Sequence, residues 1–304
     1  MTLSSHPVEQ WDRADLLGAV DDYLAALAAR DPSGLVFSPD VIFTENNVQM
    51  RIGDGLWNTI SAVRPDYDLK HADLEDGQAS WFGVIEESGH PAILALRLAF
   101  AEDGICEVET IVCRAHELGP FPEISGYEKA PRPLLLADVP VEQRTPRARL
   151  ISIADGYFDT IQLNDGKLFT HFTDECDRIE NGLQTTNVDI EGYPIAKMGT
   201  ADQFRLGQYI YDDRLRDRRY PLVDEEKGVV LAAGFIDHAG KVTDVTWTDG
   251  SRHKSIFHFP HSFVLLELFK IVDGKIAEVE AVFVTVPYNM VSPWIAPQPY
   301  LVEG

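Results

Sequence analysis

The sequence predicts an α+β protein in which one unit is written twice, each copy an N-terminal helix packed on a curved antiparallel sheet. Three observations lead there. The halves open on matching helical blocks, they close on matching strand pairs, and a proline-rich stretch separates them.

The opening blocks begin at Leu16 and Leu150. Tyr23 matches Tyr157, Phe37 matches Phe172, Glu45-Asn46 matches Glu180-Asn181, and Val48-Gln49 matches Leu183-Gln184. Leu16, Val20, Tyr23, Leu24 and Leu27 recur at three- and four-residue steps, the signature of an amphipathic helix. Asp31-Pro32 ends the first helix, because proline disfavours a helical residue before it. Asn164-Asp165-Gly166 ends the second.

The closing blocks begin at Ile93 and Phe263. Asp103-Gly104 is set on Asp273-Gly274 as a hairpin turn, a dipeptide suited to positive φ. After a one-residue gap, Glu107-Val108-Glu109 falls on Glu278-Val279-Glu280. Earlier strands are expected at Ser80–Glu86 and Val229–Asp237, completing a helix followed by an antiparallel meander. The expected units are 1–114 and 147–286, with an extended linker over the surface at 115–146 and a tail at 287–304. Trp294 and Tyr300 are expected to dock that tail.

The chain has 304 residues, enough for two ordinary domains, and 45% of them are hydrophobic, enough for two cores. With 26 basic against 49 acidic residues the net charge is −23, which repels phosphate backbones and anionic membranes. Three cysteines without CxxC spacing argue against a disulfide framework or structural zinc. No basic n-region precedes an apolar run, and no apolar stretch is of membrane-spanning length, so a cytoplasmic setting is expected. There is no GxGxxG, Walker loop, GxSxG or HExxH, and no cofactor or metal is expected.

The long first helix, the phrase TENNVQMRIGDGLW at Thr44–Trp57, and the ending from Phe259 through LFKIVDGKIAEVEAVF to Trp294 resemble the nuclear transport factor 2-like (NTF2-like, SnoaL-like) superfamily. More narrowly, they resemble a tandem two-domain group within it. The resemblance implies two conical pockets between helix and sheet. It also implies a choice among dehydratases, isomerases, cyclases, epoxide hydrolases, cofactor-independent lyases (some acting on lignin-derived diaryl compounds) and plain binding or assembly domains.

Candidate chemistry concentrates in the second copy. Glu267 is the one ionisable group on the apolar face of Phe263–Ile271, suited to acid–base work if it faces a cavity. Its aligned position is Arg97, and an Arg97–Glu267 ion pair is the competing expectation. Glu278 and Glu280 share a strand face, which is more often a solvent face, although the family ending centres on Glu280. An insertion from Lys241 to Pro260 carries Trp247, Arg252, His253 and His258, with His261 following. A histidine there is either a base near neutral pH or an exposed loop residue. Tyr209, Tyr211 and Arg214, Arg216, Arg218 and Arg219 read as a charged helix face, with Arg219 kept as a substrate contact. Asn46 and Asn181 either orient a ligand or satisfy a strand end, and Trp57 either walls a pocket or is core.

The expectation is therefore a cofactor-independent lyase, dehydratase or isomerase acting on a hydrophobic, aromatic small molecule. His258, His261, Glu267 or Glu280 would carry the acid–base steps, and Asn46, Trp57, Asn181, Tyr209, Arg219 and Trp247 would bind substrate. An epoxide hydrolase is the alternative, favoured if Glu267 or Glu280 sits beside Asp or Arg in a cavity. A non-catalytic domain is the other, favoured by a filled pocket and an Arg97–Glu267 pair.

Overall fold

A computed structural model describes residues 11–115 and 122–295. Tyr300 lies outside the described residues. The fold is α+β, with two mixed, curved sheets and few helices.

Helix α1 (Arg13–Ala29) starts on a capping box in which Asp12 and Asp15 each satisfy the other's backbone N–H. It ends at Arg30 in the left-handed region. A short helix, α2 (Leu56–Thr59), and seven strands follow: β1 (Phe37–Glu45), β2 (Val48–Met50), β3 (Ile60–Val63), β4 (Leu69–Asp73), β5 (Gln78–Glu87), β6 (His90–Ala101) and β7 (Gly104–Arg114). Next come α3 (Pro133–Leu136), α4 (Arg147–Leu163), β8 (Phe172–Glu180), β9 (Leu183–Gln184) and α5 (Thr200–Arg205). The chain continues through β10 (Arg214–Asp224), β11 (Val229–His238), β12 (Asp244–Thr246), β13 (Arg252–Lys254), β14 (His261–Val272) and β15 (Lys275–Val286).

The first sheet runs β2-β1-β7-β6-β5-β3, with β4 also on β5; the second, read in the matching direction, runs β9-β8-β15-β14-β11-β10. In both, the first long strand joins the last one in parallel, β1 on β7 and β8 on β15. The sheets are thus mixed, not antiparallel as the sequence suggested. The whole meander intervenes between those strands and supplies the long crossover a parallel pair requires.

The turns show where sequence alignment slips. Ala101 pairs with Gly104 and Val272 with Lys275, so the loops are Glu102-Asp103 and Asp273-Gly274. Asp103-Gly104 therefore does not overlie Asp273-Gly274; the match is displaced by one residue and needs no gap. One residue in a strand reverses the face. The counterpart of Glu267 is Leu96: Leu96 lies opposite Thr110, and Glu267 lies opposite Ala281. Arg97 is on the other face.

Side chains alternate accordingly. One face of the first sheet packs on α1 through Phe43, Trp81, Leu94 and Leu96, and one face of the second packs on α4 through Val230, Leu265 and Phe269. The two remaining faces meet in a shared core that includes Phe82, Ile93, Ile111, Leu231, Leu266 and Val282. The segment expected to be a surface linker contributes Tyr127 and Leu135, both fully buried, to that core. The apolar side chains on this segment find the inter-sheet gap, which proline composition alone does not reveal.

Polar groups lock the same layer. Glu109 of β7 accepts from Arg97 Nε at 2.8 Å and from Arg219 Nη2 of the second sheet at 2.5 Å. Glu280 of β15 accepts from Tyr67 at 2.6 Å and Tyr127 at 2.8 Å. Arg97 is also paired with Glu107, so the Arg97–Glu267 pair does not form. Glu278 and Glu280 are buried, contrary to the solvent-face expectation, because Arg132 covers the first and Tyr67 and Tyr127 cover the second. The Arg214–Arg219 run is strand β10, not a helix face. Arg214 and Arg216 pair with the buried Asp237 of β11.

Candidate functional site

The main cavity among the described residues opens between α4 and the second sheet, with a volume of about 1170 Å³. The corresponding space over the first sheet is filled. There Trp81 lies opposite Leu96, whereas Ala232 lies opposite Glu267; Phe43 is replaced by Arg178, as their pairings with Val108 and Val279 show.

Glu267 lies at the inner end, lined by Tyr157, Arg178, Glu180 and Tyr209. Burial, and then the neighbouring Glu180, push its carboxyl up to about 8, against the pull of Arg178 and a hydrogen bond from Tyr157. It therefore carries a proton near neutral pH. Arg178 is buried and engaged. Its Nε reaches Thr185 at 3.3 Å and Glu180 at 3.2 Å, and its Nη2 donates to Gln203 at 2.7 Å and to Tyr209.

The outer end holds a pair the sequence reading missed. His238, the last residue of β11, places Nε2 2.6 Å from Asp212 Oδ1, both side chains being buried. Among the described residues, His238 Nδ1, His238 Nε2 and Asp212 Oδ1 are all buried without a hydrogen-bond partner, so the 2.6 Å contact is a close approach without hydrogen-bond geometry. Burial pushes the Asp212 carboxyl up, and its contact with His238 pulls it back. Aromatic rings hold the imidazole: His261 stacks on it at 4.5 Å and 10°, and Phe257 and Phe263 lie at 4.4 and 4.8 Å. His261 is opposite His238 in the β11–β14 ladder, and burial lowers its pKa. The available signal was weak: Asp212 and His238 are 26 positions apart in the sequence, and His238 ends a strand the sequence reading closed one residue early.

The remaining candidates disperse. Tyr209 lines the cavity, and so does Asn46, reaching across from the first sheet. Asn46 also brackets Val112 (N–H to Oδ1 2.7 Å, Nδ2 to O 3.2 Å), and Asn181 brackets Phe283 in the same way at 2.9 and 3.0 Å. Both asparagines have a φ of 48°, as two-residue hairpin loops require. Trp57 is core beneath Tyr23. Glu280 and Arg219 lie between the sheets, away from the cavity. Trp247 stacks on His253 at 3.4 Å in the β12–β13 hairpin, and His258 is exposed outside the cavity.

The tail closes the outer wall with Pro287 and Met290. It is held by Arg214 on Asn289, Arg216 on the Met290 carbonyl, and Asn47 on the Val291 carbonyl, each at 2.8 Å. Arg97 and Arg219 sit over the Trp294 ring at 4.9 and 5.4 Å.

Residues 143–283 match a family model described as a domain of unknown function (DUF8021). No curated protein matches the chain. Among solved structures, a protein from Sphaerobacter thermophilus is 20% identical, covering 32% of this chain and 94% of its own, with a TM-score of 0.24. AclR from Streptomyces galilaeus is 14% identical, covering 46% of this chain and 91% of its own, with a TM-score of 0.25. No helix among the described residues is long and apolar enough to cross a membrane.

Proposed function

We propose that the chain is a tandem pair of NTF2-like cones, working in the cytoplasm, whose second cone is a cofactor-independent lyase, dehydratase or isomerase for a hydrophobic, aromatic small molecule. The observation that carries the reading is the Asp212–His238 pair at 2.6 Å on the wall of a large, mostly apolar cavity. A turn of the imidazole on substrate binding would convert the 2.6 Å contact into a hydrogen bond in which Nε2 donates to Asp212, leaving Nδ1 as the acceptor. His238 takes a proton from bound substrate, and Asp212 stabilises the imidazolium that results. Loss of a leaving group or reprotonation elsewhere then gives elimination or isomerisation.

The test is incubation of the purified chain, without added cofactor, with hydroxylated mono- and diaryl compounds in deuterated water, followed by mass spectrometry. Turnover or carbon-bound deuterium that disappears in His238→Ala is expected. Equal activity in His238→Ala would overturn the reading.

A second reading rests on the inner end. Glu267 lies near Arg178 in the cavity, the arrangement named above for an epoxide hydrolase. Labelled oxygen from water entering a diol product, lost in Glu267→Gln and kept in His238→Ala, would select it.

A further inference from the structure

The cavity has two polar ends. On its sheet wall the positions facing α4 run Ala232, Gly234, Ile236, His238 along β11, opposite Glu267, Leu265, Phe263, His261 along β14. Glu267 lies six positions along the strand from His261, about 20 Å. The wall between them is apolar: Leu265, Phe263 and Ile236, with Phe283 beside them on β15. A single small functional group cannot touch both ends.

The inner end also has a defined electrostatic character. Among the described residues the cavity carries three carboxyls, Glu180, Asp212 and Glu267, against one guanidinium, and Arg178 is already committed to Glu180, Gln203, Thr185 and Tyr209. An anionic group placed there would meet Glu180 and Glu267 in a desolvated setting with no free cation to pair it. A cation is not compensated there either, because Glu180 is already paired with Arg178 and Glu267 is proton-bearing at neutral pH; what Glu267 offers is a hydrogen-bond donor.

We propose that the inner end is a recognition subsite for an uncharged, hydrogen-bond-accepting oxygen, and that the ligand is an elongated molecule whose apolar body spans from Glu267 to His238. The inference rests on the function above for where the reaction occurs, but binding alone can test it.

The experiment is a fluorescence titration of the full chain with four probes: 4,4′-dihydroxystilbene, its 4′-carboxylate and 4′-trimethylammonium analogues, and phenol. The diol is expected to bind about tenfold or more tightly than each of the other three, the value of one added buried hydrogen bond with its apolar body. Glu267→Leu lowers diol affinity by about tenfold, Glu267→Gln keeps a donor and holds it within about threefold, and phenol is unaffected by either. Equal or tighter binding of a charged analogue, an unchanged diol affinity in Glu267→Leu, or no binding of any probe overturns the proposal. Thermal unfolding of each variant verifies its fold. Absence of turnover with this selectivity intact would strike the catalytic reading alone.

Discussion

Trp81 on β5 lies opposite Leu96 of β6, and Ala232 on β11 lies opposite Glu267 of β14, so the two side chains hold the same place in their sheets. The indole is buried, and its Nε1 donates to Asp68 at 2.9 Å. Where the first sheet stacks Trp81, Phe43 and Leu96 beneath its helix, the second has Ala232, Arg178 and Glu267, and space remains. One sheet holds a solid core and the other a cavity because the first has large apolar groups at positions where the second has a small one and two charged ones.

Trp81→Ala therefore removes packing from a filled site and is expected to cost about 3–5 kcal/mol. Ala281 of β15 lies opposite Glu267 and lines the cavity, so Ala281→Phe projects into open space at the inner end. It is expected to cost no more than about 1–3 kcal/mol while abolishing binding of the stilbene diol. Urea titration and probe fluorescence read the two outcomes, and retained diol binding in Ala281→Phe would contradict this placement of the cavity.

Stability should decline from mildly acidic to mildly basic pH. Glu267 is pushed up to about 8, and Glu278 and Glu280 to about 7, in each case first by burial, from 4.5. Between those limits the folded chain binds more protons than the unfolded one. The stabilisation is thus full below about pH 4.5 and lost as pH rises through 7 to 8. His71, lowered to about 4, and His261, also lowered, both first by burial, act in the opposite sense below 6.5, and Lys270, lowered to about 8 by burial, does so only as pH approaches 8 and beyond, so the three carboxyls dominate between about pH 6 and 8. The urea midpoint is expected to be higher at about pH 6 than at about pH 8, with a smaller difference in Glu280→Gln. A midpoint that rises with pH would contradict the burial of these carboxyls.

If His238 is the base, His238→Gln should lower kcat/KM by about 10²- to 10⁴-fold. Asp212→Asn should lower it too, by releasing the imidazole tautomer. His258→Ala, exposed and outside the cavity, should match the parent. An Asp212→Asn variant with unchanged kcat/KM would remove the carboxyl from the chemistry.

Trp294→Ala should free the tail, since the indole is the face on which Arg97 and Arg219 rest. The loss is expected to be about 0.5–2 kcal/mol. Limited proteolysis should then cut between Pro287 and Trp294 faster than in the parent, and an unchanged rate would show that the hydrogen bonds of Asn289 to Val291 suffice.

Much of the layout was legible in the sequence, because amphipathic helices and alternating strands are local patterns. α1, α4 and the closing hairpins follow from residue spacing. What eluded it was register and long-range contact. Matching one Asp-Gly to the other put Arg97 where Leu96 belongs, and a single residue carries a side chain to the other face. Glu267 stood out because it interrupts an apolar alternation. His238 did not, because its significance comes from Asp212, Phe257 and His261, which only folding brings together.

The shared core between the sheets also bears on how the chain is made. β5 to β7 can pair as soon as they are synthesised, yet Phe82, Ile93 and Ile111 find their cover only when Leu231, Leu266 and Val282 have emerged. At ordinary elongation rates that interval is on the order of 10 s. For that time the apolar face of β5 to β7 stays uncovered, the condition under which a nascent chain is most prone to aggregate.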